Sequence, residues 1–95
     1  MKKNIVDKYE FEGYRIPTQS VNILLIKAKH GFLGCGYFSI DTANRLQETV
    51  AIVSGIQTYD DMLNSTVVVV NVSAAAEKNG IAKGMSGRDA MLKMA

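Results

Sequence analysis

The sequence holds a single cysteine, a single histidine and a single proline, few aromatic residues, and no long uncharged hydrophobic run. One cysteine, Cys35, cannot close an intrachain disulfide, which excludes a disulfide-stapled secreted domain. With Cys35 and His30 as the sole sulfur and imidazole donors, a structural tetrahedral zinc site is short of ligands, and no metal is expected. The longest uncharged run, residues 62–76, contains Asn, Ser and Thr and is too short to span a bilayer. The opening residues MKKNIVDKYE meet acidic side chains before any apolar stretch, unlike a signal peptide. These absences predict a soluble, cytoplasmic protein without a membrane partner.

An excess of one charge is missing as well. Eleven basic and nine acidic residues leave a net charge of +2, with both signs in every part of the chain. No basic stripe forms and no aromatics alternate with Lys or Arg, so a nucleic-acid partner is excluded. There is no Pro/Gly/Ser-rich linker, low-complexity tract or internal repeat. The 95 residues therefore form one domain, 1–95, able to bury roughly 60–70% of the unfolded surface.

What is present reads as strands first and helices later. Residues 4–11 alternate, with Ile5, Tyr9 and Phe11 on one face, although Asp7 interrupts the pattern. Glu12-Gly13 predicts a turn, and residues 14–16 return as a second strand before Pro17 stops the ladder. An isolated hairpin is marginal in water, so Tyr9, Phe11, Tyr14 and Ile16 need a cover. Either the chain's own core supplies it or another subunit does. Residues 1–20 are accordingly read as a β oligomerisation hairpin and 21–95 as the body.

In the body, residues 22–28 predict a dense apolar strand, with residues 29–31 as the turn into a strand over 32–39. Asp41 is placed to cap a helix carrying Ala43, Leu46 and Val50 at helical spacing. Residues 50–53 form a short buried strand, and Thr58 with Asp61 a capping box. Residues 66–72, apolar on both faces, predict a central strand covered on both sides. Ser73 caps a helix closed by Asn79-Gly80, and Ser86 with Asp89 opens the last one, whose stripe is Ala90, Met91 and Met94. The fold class is α+β: antiparallel hairpins followed by strand–helix units, with helices packed on a mixed sheet.

Two places could carry chemistry. Cys35 with His30 could act as nucleophile and base, yet five residues at strand rise separate them by about 16 Å. Gly34-Cys35-Gly36 lacks the third glycine of a dinucleotide loop, and no G-K-[ST] follows, so neither nucleotide motif is present. The other place is a helix N-terminus: Ser86, Gly87 and Arg88 would bring N–H groups, a hydroxyl and a guanidinium together as an anion site. Ser73 offers a second such terminus directly after a strand. Plain capping explains both serines equally well.

The blocks HGFLGCGYFSID, AIVSGIQTYDDML and GIAKGMSGRDAMLKM, in that order from about residue 20 onward, resemble the YunC-like family of bacterial and archaeal domains of unknown function. Met91 stands where that family's last block more often has Leu, an exchange that a buried apolar site tolerates. The resemblance implies an N-terminal β tetramerisation region, which meets the uncovered hairpin. It brings no activity, substrate or cofactor. The leading expectation is thus a homo-oligomeric, tetrameric module binding or sensing a small ligand, with anions among the candidates. The alternatives are an enzyme using Cys35 as nucleophile in a site between subunits, and an assembly subunit without a ligand.

Overall fold

The structure, a computed structural model, describes residues 2–6, 8–56, 58–64 and 66–95. Among the described residues six strands form one sheet in chain order. β1 (Lys2–Val6) pairs antiparallel with β2 (Tyr9–Pro17), Val6 opposite Tyr9 and Lys2 opposite Gly13. The first reversal therefore falls between Val6 and Tyr9, where Asp7 lies outside the described residues, as does the side chain of Ile5. The predicted turn at Glu12-Gly13 does not form. Both residues are paired on two sides, to Lys3 and Lys2 in β1 and to Lys27 and Ile26 in β3 (Asn22–Ala28). Two ladders outweigh the local turn preference of one glycine. Pro17 does end the strand, opposite Asn22.

β4 (Gly31–Gly34) runs antiparallel to β3 and stops five residues earlier than the sequence predicts, with Gly34 at its end. The Phe38 amide turns back to the Cys35 carbonyl at 3.3 Å. The Phe38 ring then folds over Gly34, where a β-carbon would stand 2.6 Å from it. Phe32 and Phe38 meet edge to face, centroids 5.3 Å apart. α1 (Ile40–Arg45) is capped by Ser39 rather than Asp41, and it ends before Leu46, which is exposed. Val50, predicted on this helix, opens β5 (Val50–Val53), which runs parallel to β4. A parallel neighbour demands a crossover, and α1 supplies it.

α2 (Tyr59–Met62) carries the expected capping box between Thr58 and Asp61. β6 (Val69–Val72) pairs antiparallel with β5 and forms the edge of the sheet, correcting the expectation of a central strand. Val68 and Val70 are largely exposed, so the β-branched run marks strand propensity and not a central position. Beyond β6 the sheet is blunted by residues 84–87: Met85 accepts from the Val69 amide at 2.7 Å, and the Gly87 amide donates to Val67 at 3.0 Å. α3 (Ala74–Lys78) is capped by Ser73 and closed at Asn79, followed by Gly80 at φ +83°. α4 (Gly87–Met94) is capped by Ser86 and buries Gly87, Ala90, Met91 and Met94.

The fold is α+β, as the alternation of patterns predicts. One sheet face carries Phe11, Leu24, Ile26, Leu33, Ala51 and Val53 and is covered by α2, α3 and α4 through Met62, Ala76, Ala90, Met91 and Met94. The other face is covered only where Ala43 of α1 packs with Val50 and Ile52. On the same face of β2 and β3, Tyr14, Ile16 and Leu25 join neither core cluster of the described residues, whereas Ile23 packs against the main one.

Candidate functional site

Strand direction locates the site. β4 and β5 are the parallel pair of the described strands. The chain leaves β4 toward α1 on one face of the sheet and leaves β5 toward α2 on the other. Loops that part in this way leave a crevice at the carboxyl ends of their strands, the usual ligand position in sheets with parallel strands. Here the crevice has a volume of about 240 Å³ and is lined by Val21, Asn22, Cys35, Gly36, Tyr37, Ser54, Gly55 and Ile56. At Gly36 and at Gly55 an added β-carbon would meet nothing within 4 Å, so both glycines face open space. Among the described residues, the amides of Gly36, Tyr37, Gly55 and Ile56 find no acceptor.

Cys35 sits at the wall of this crevice, 8% exposed. Its amide donates to Leu24 at 3.0 Å, and its sulfur accepts from the Leu24 amide at 3.5 Å, carrying the β3–β4 pairing one step past the strand. The crevice continues into a groove of about 480 Å³ lined by Arg15, Ser20, Val21, Asn22, Ile56 and Thr58. Val21, Asn22 and Ile56 belong to both walls. Tyr59 lies close to this groove's cation. Burial pushes its phenol above the ordinary value, and the Arg15 guanidinium pulls against that shift.

The residues singled out in the sequence are placed elsewhere or otherwise engaged. His30 precedes β4 while Cys35 follows it, so the strand holds them at opposite ends, and the His30 amide is bonded to the Met94 carbonyl. They form no nucleophile–base pair. Ser73 is fully buried, its hydroxyl donating to Glu48 at 2.7 Å and accepting from the amides of Val50 at 3.0 Å and Ala76 at 3.2 Å. Its hydrogen-bonding capacity is used up inside the chain. At α4, Ser86 accepts from the Asp89 amide at 3.1 Å and the Gly87 amide is held by Val67, so two of that terminus's donors are occupied. Arg88 is half-buried beside them. Gly87 lies against Leu33 and Val53, which brings α4 over the strands that carry Cys35, but no residue of α4 lines the crevice.

The four hairpin residues divide between the faces. Phe11 is 2% exposed, covered by the chain's own core, with Tyr9 stacked beside it at 6.4 Å between centroids. Tyr14 and Ile16 face the opposite side, in register with Leu25 and Ile23, and Ile16 is 56% exposed. Arg15, Asn22, Ser54 and Gly55 escaped the sequence reading. Ser54-Gly55 lies just past the strand that the sequence predicts over residues 50–53. It pairs with Cys35-Gly36 across a crevice only once β4 and β5 are known to be parallel neighbours. Among the described residues no cluster of three or more His, Cys, Asp or Glu is arranged to hold a metal. No helix among the described residues is long and apolar enough to cross a membrane.

The fold and crevice define a small α+β domain, with one mixed sheet covered fully on one face and partly on the other. The chain belongs to the family described as domain of unknown function DUF1805, which it matches over residues 34–94. It is 30% identical to the uncharacterised protein YunC of Bacillus subtilis (strain 168), over 95% of this chain and 91% of that one. It is also similar to the crystal structure of TA1206, a protein of unknown function from Thermoplasma acidophilum. There the TM-score is 0.91 at 28% identity, over 99% of this chain and 90% of that chain.

Proposed function

We propose that this protein is a cytoplasmic, homo-oligomeric binding module that takes a small ligand in the crevice at the carboxyl ends of β4 and β5. The observation that carries the reading is the crevice itself, where two glycine-containing loops part to opposite faces and leave backbone donors facing open space. Small-ligand pockets characteristically combine an apolar wall with a few convergent polar groups. Val21 and Ile56 supply the first here, and Asn22, Ser54 and the loop amides the second. The assembly part of the reading rests on Tyr14, Ile16 and Leu25, which share one sheet face and lie outside both core clusters of the described residues. A second copy laid against that surface would leave the crevice open, because Arg15 and Leu24 alternate with those residues and point to the helix side. The tetramer of the family resemblance fits this arrangement. A catalytic role for Cys35 is less well supported, since His30 is held at the far end of β4.

Native mass spectrometry of gently purified protein tests both parts at once. The expected result is a tetramer with additional mass that is lost on denaturation. A bare oligomer would favour a purely structural subunit, and a monomer at micromolar concentration would overturn the assembly.

A further inference from the structure

The groove beside the crevice has an electrostatic asymmetry. Of the described residues lining the two, Arg15 alone is charged and none is a carboxylate. Among the described residues Arg15 makes no ion pair and no hydrogen bond, and the side chains of Ser20 and Asn22 make no hydrogen bond either. Three polar side chains thus converge on one groove without using their donors inside the chain. Past Val21 and Ile56 lies the crevice itself, with the Cys35 thiol in its wall. From these observations we infer that the ligand is a small organic acid, its anionic group held by Arg15, Ser20 and Asn22 and its apolar body lying over Val21 and Ile56 toward Cys35. This rests on the crevice being the binding site.

Two physical arguments favour an anion of this kind. A guanidinium presents paired donors that match a carboxylate or phosphate, and in a concave wall its charge is less screened than on a flat surface. The second is position. Arg15 stands opposite Leu24 in the register, on the helix side of β2 and near the Tyr59 phenol, so its cation remains available when the Tyr14–Ile16 side is covered.

Cys35, the sole thiol, reports on the path without any knowledge of the ligand. The probes are iodoacetate and iodoacetamide, equal in size and different in charge. With either one the thiolate carbon–sulfur bond forms as iodide leaves, and the thiol proton goes to solvent. The ratio of the two rates cancels the acidity and the exposure of the thiol. In the folded protein the iodoacetate-to-iodoacetamide ratio is expected to exceed that of the urea-unfolded chain by about tenfold. Arg15→Gln should return it to the unfolded value with the iodoacetamide rate unchanged. Lys78→Gln, which removes the same charge from α3, should leave it raised. If iodoacetamide reacts but the ratio equals that of the unfolded chain, or stays raised in Arg15→Gln, the anion inference fails and the crevice reading stands. If neither reagent reaches folded Cys35, the crevice is closed and both readings fall.

Discussion

Gly87, the first residue of α4, lies against the backbone carbonyl of Met62 at the end of α2 so closely that a β-carbon there would stand 2.4 Å from the oxygen. The same β-carbon would also press on Leu33 at 3.2 Å. Two helices and a strand thus meet at a point with room for a hydrogen only. Gly87 is a packing residue, and whatever Ser86 and Arg88 do is constrained by it.

Gly87→Ala should therefore destabilise the fold although alanine favours helix. The propensity gain is about 1 kcal/mol, and overpacking against a backbone carbonyl costs about 1–3 kcal/mol or more. Urea unfolding should show a lower midpoint at unchanged slope. An unchanged midpoint would mean that α4 can move away from α2 freely.

Ser73 and Ser39 are both helix caps, but their replacements should differ in effect. Ser73→Ala leaves the buried amides of Val50 and Ala76 without an acceptor and should cost about 2–4 kcal/mol. Ser39→Ala loses one 3.3 Å bond at the surface, to the Thr42 amide, and should cost about 0.5–1 kcal/mol. Thermal unfolding of the two variants side by side measures the difference.

Phe11 and Ile16 lie on opposite faces of one strand, which separates the core from the proposed interface. Phe11→Ala should lower stability by about 3–5 kcal/mol at every protein concentration. Ile16→Glu should instead shift the oligomer toward smaller species and remove the concentration dependence of Tm. Light scattering after size exclusion, with melting curves across a dilution series, checks both.

Tyr59 carries a pH signature. Its pKa is raised in the folded chain, chiefly by burial, so the neutral phenol is favoured by folding. The associated stability is complete below the unfolded value of 10.0 and is lost as pH rises through the folded one. Arg15 opposes the shift, so Arg15→Gln should move the Tyr59 titration still higher. Ultraviolet titration of phenolate, with Tyr59→Phe as the reference, reads it. A downward move would show that Arg15 does not face the ring.

Much of the fold is legible in the residues because much of it is local. The Thr58–Asp61 capping box, the Ser73 and Ser86 caps, the Asn79-Gly80 stop and the Ala90, Met91 and Met94 stripe depend on atoms within a turn or two. Strand β3 and strand β5 are dense enough in apolar residues to be read directly. The misreadings share a cause. Glu12-Gly13 is drawn straight by ladders on both sides, and residues 66–72 become an edge although they are β-branched throughout. The strand after Gly31 is cut short where Phe38 folds back onto Gly34.

The candidate site was the least legible part for the same reason. Cys35 and Gly36 are conspicuous in the sequence, whereas Arg15, Asn22, Ser54 and Gly55 are not, and nothing local relates residue 15 to residue 54. By itself the sequence determined where α2, α3 and α4 begin, where α3 ends, that β3 and β5 are dense apolar strands, and that no intrachain disulfide holds the chain, because each follows from short-range chemistry. The tertiary structure alone decided which strands are neighbours and in which direction they run. Only the parallel pairing of β4 with β5, through a crossover that sends α1 and α2 to opposite faces, brings those distant residues to one crevice.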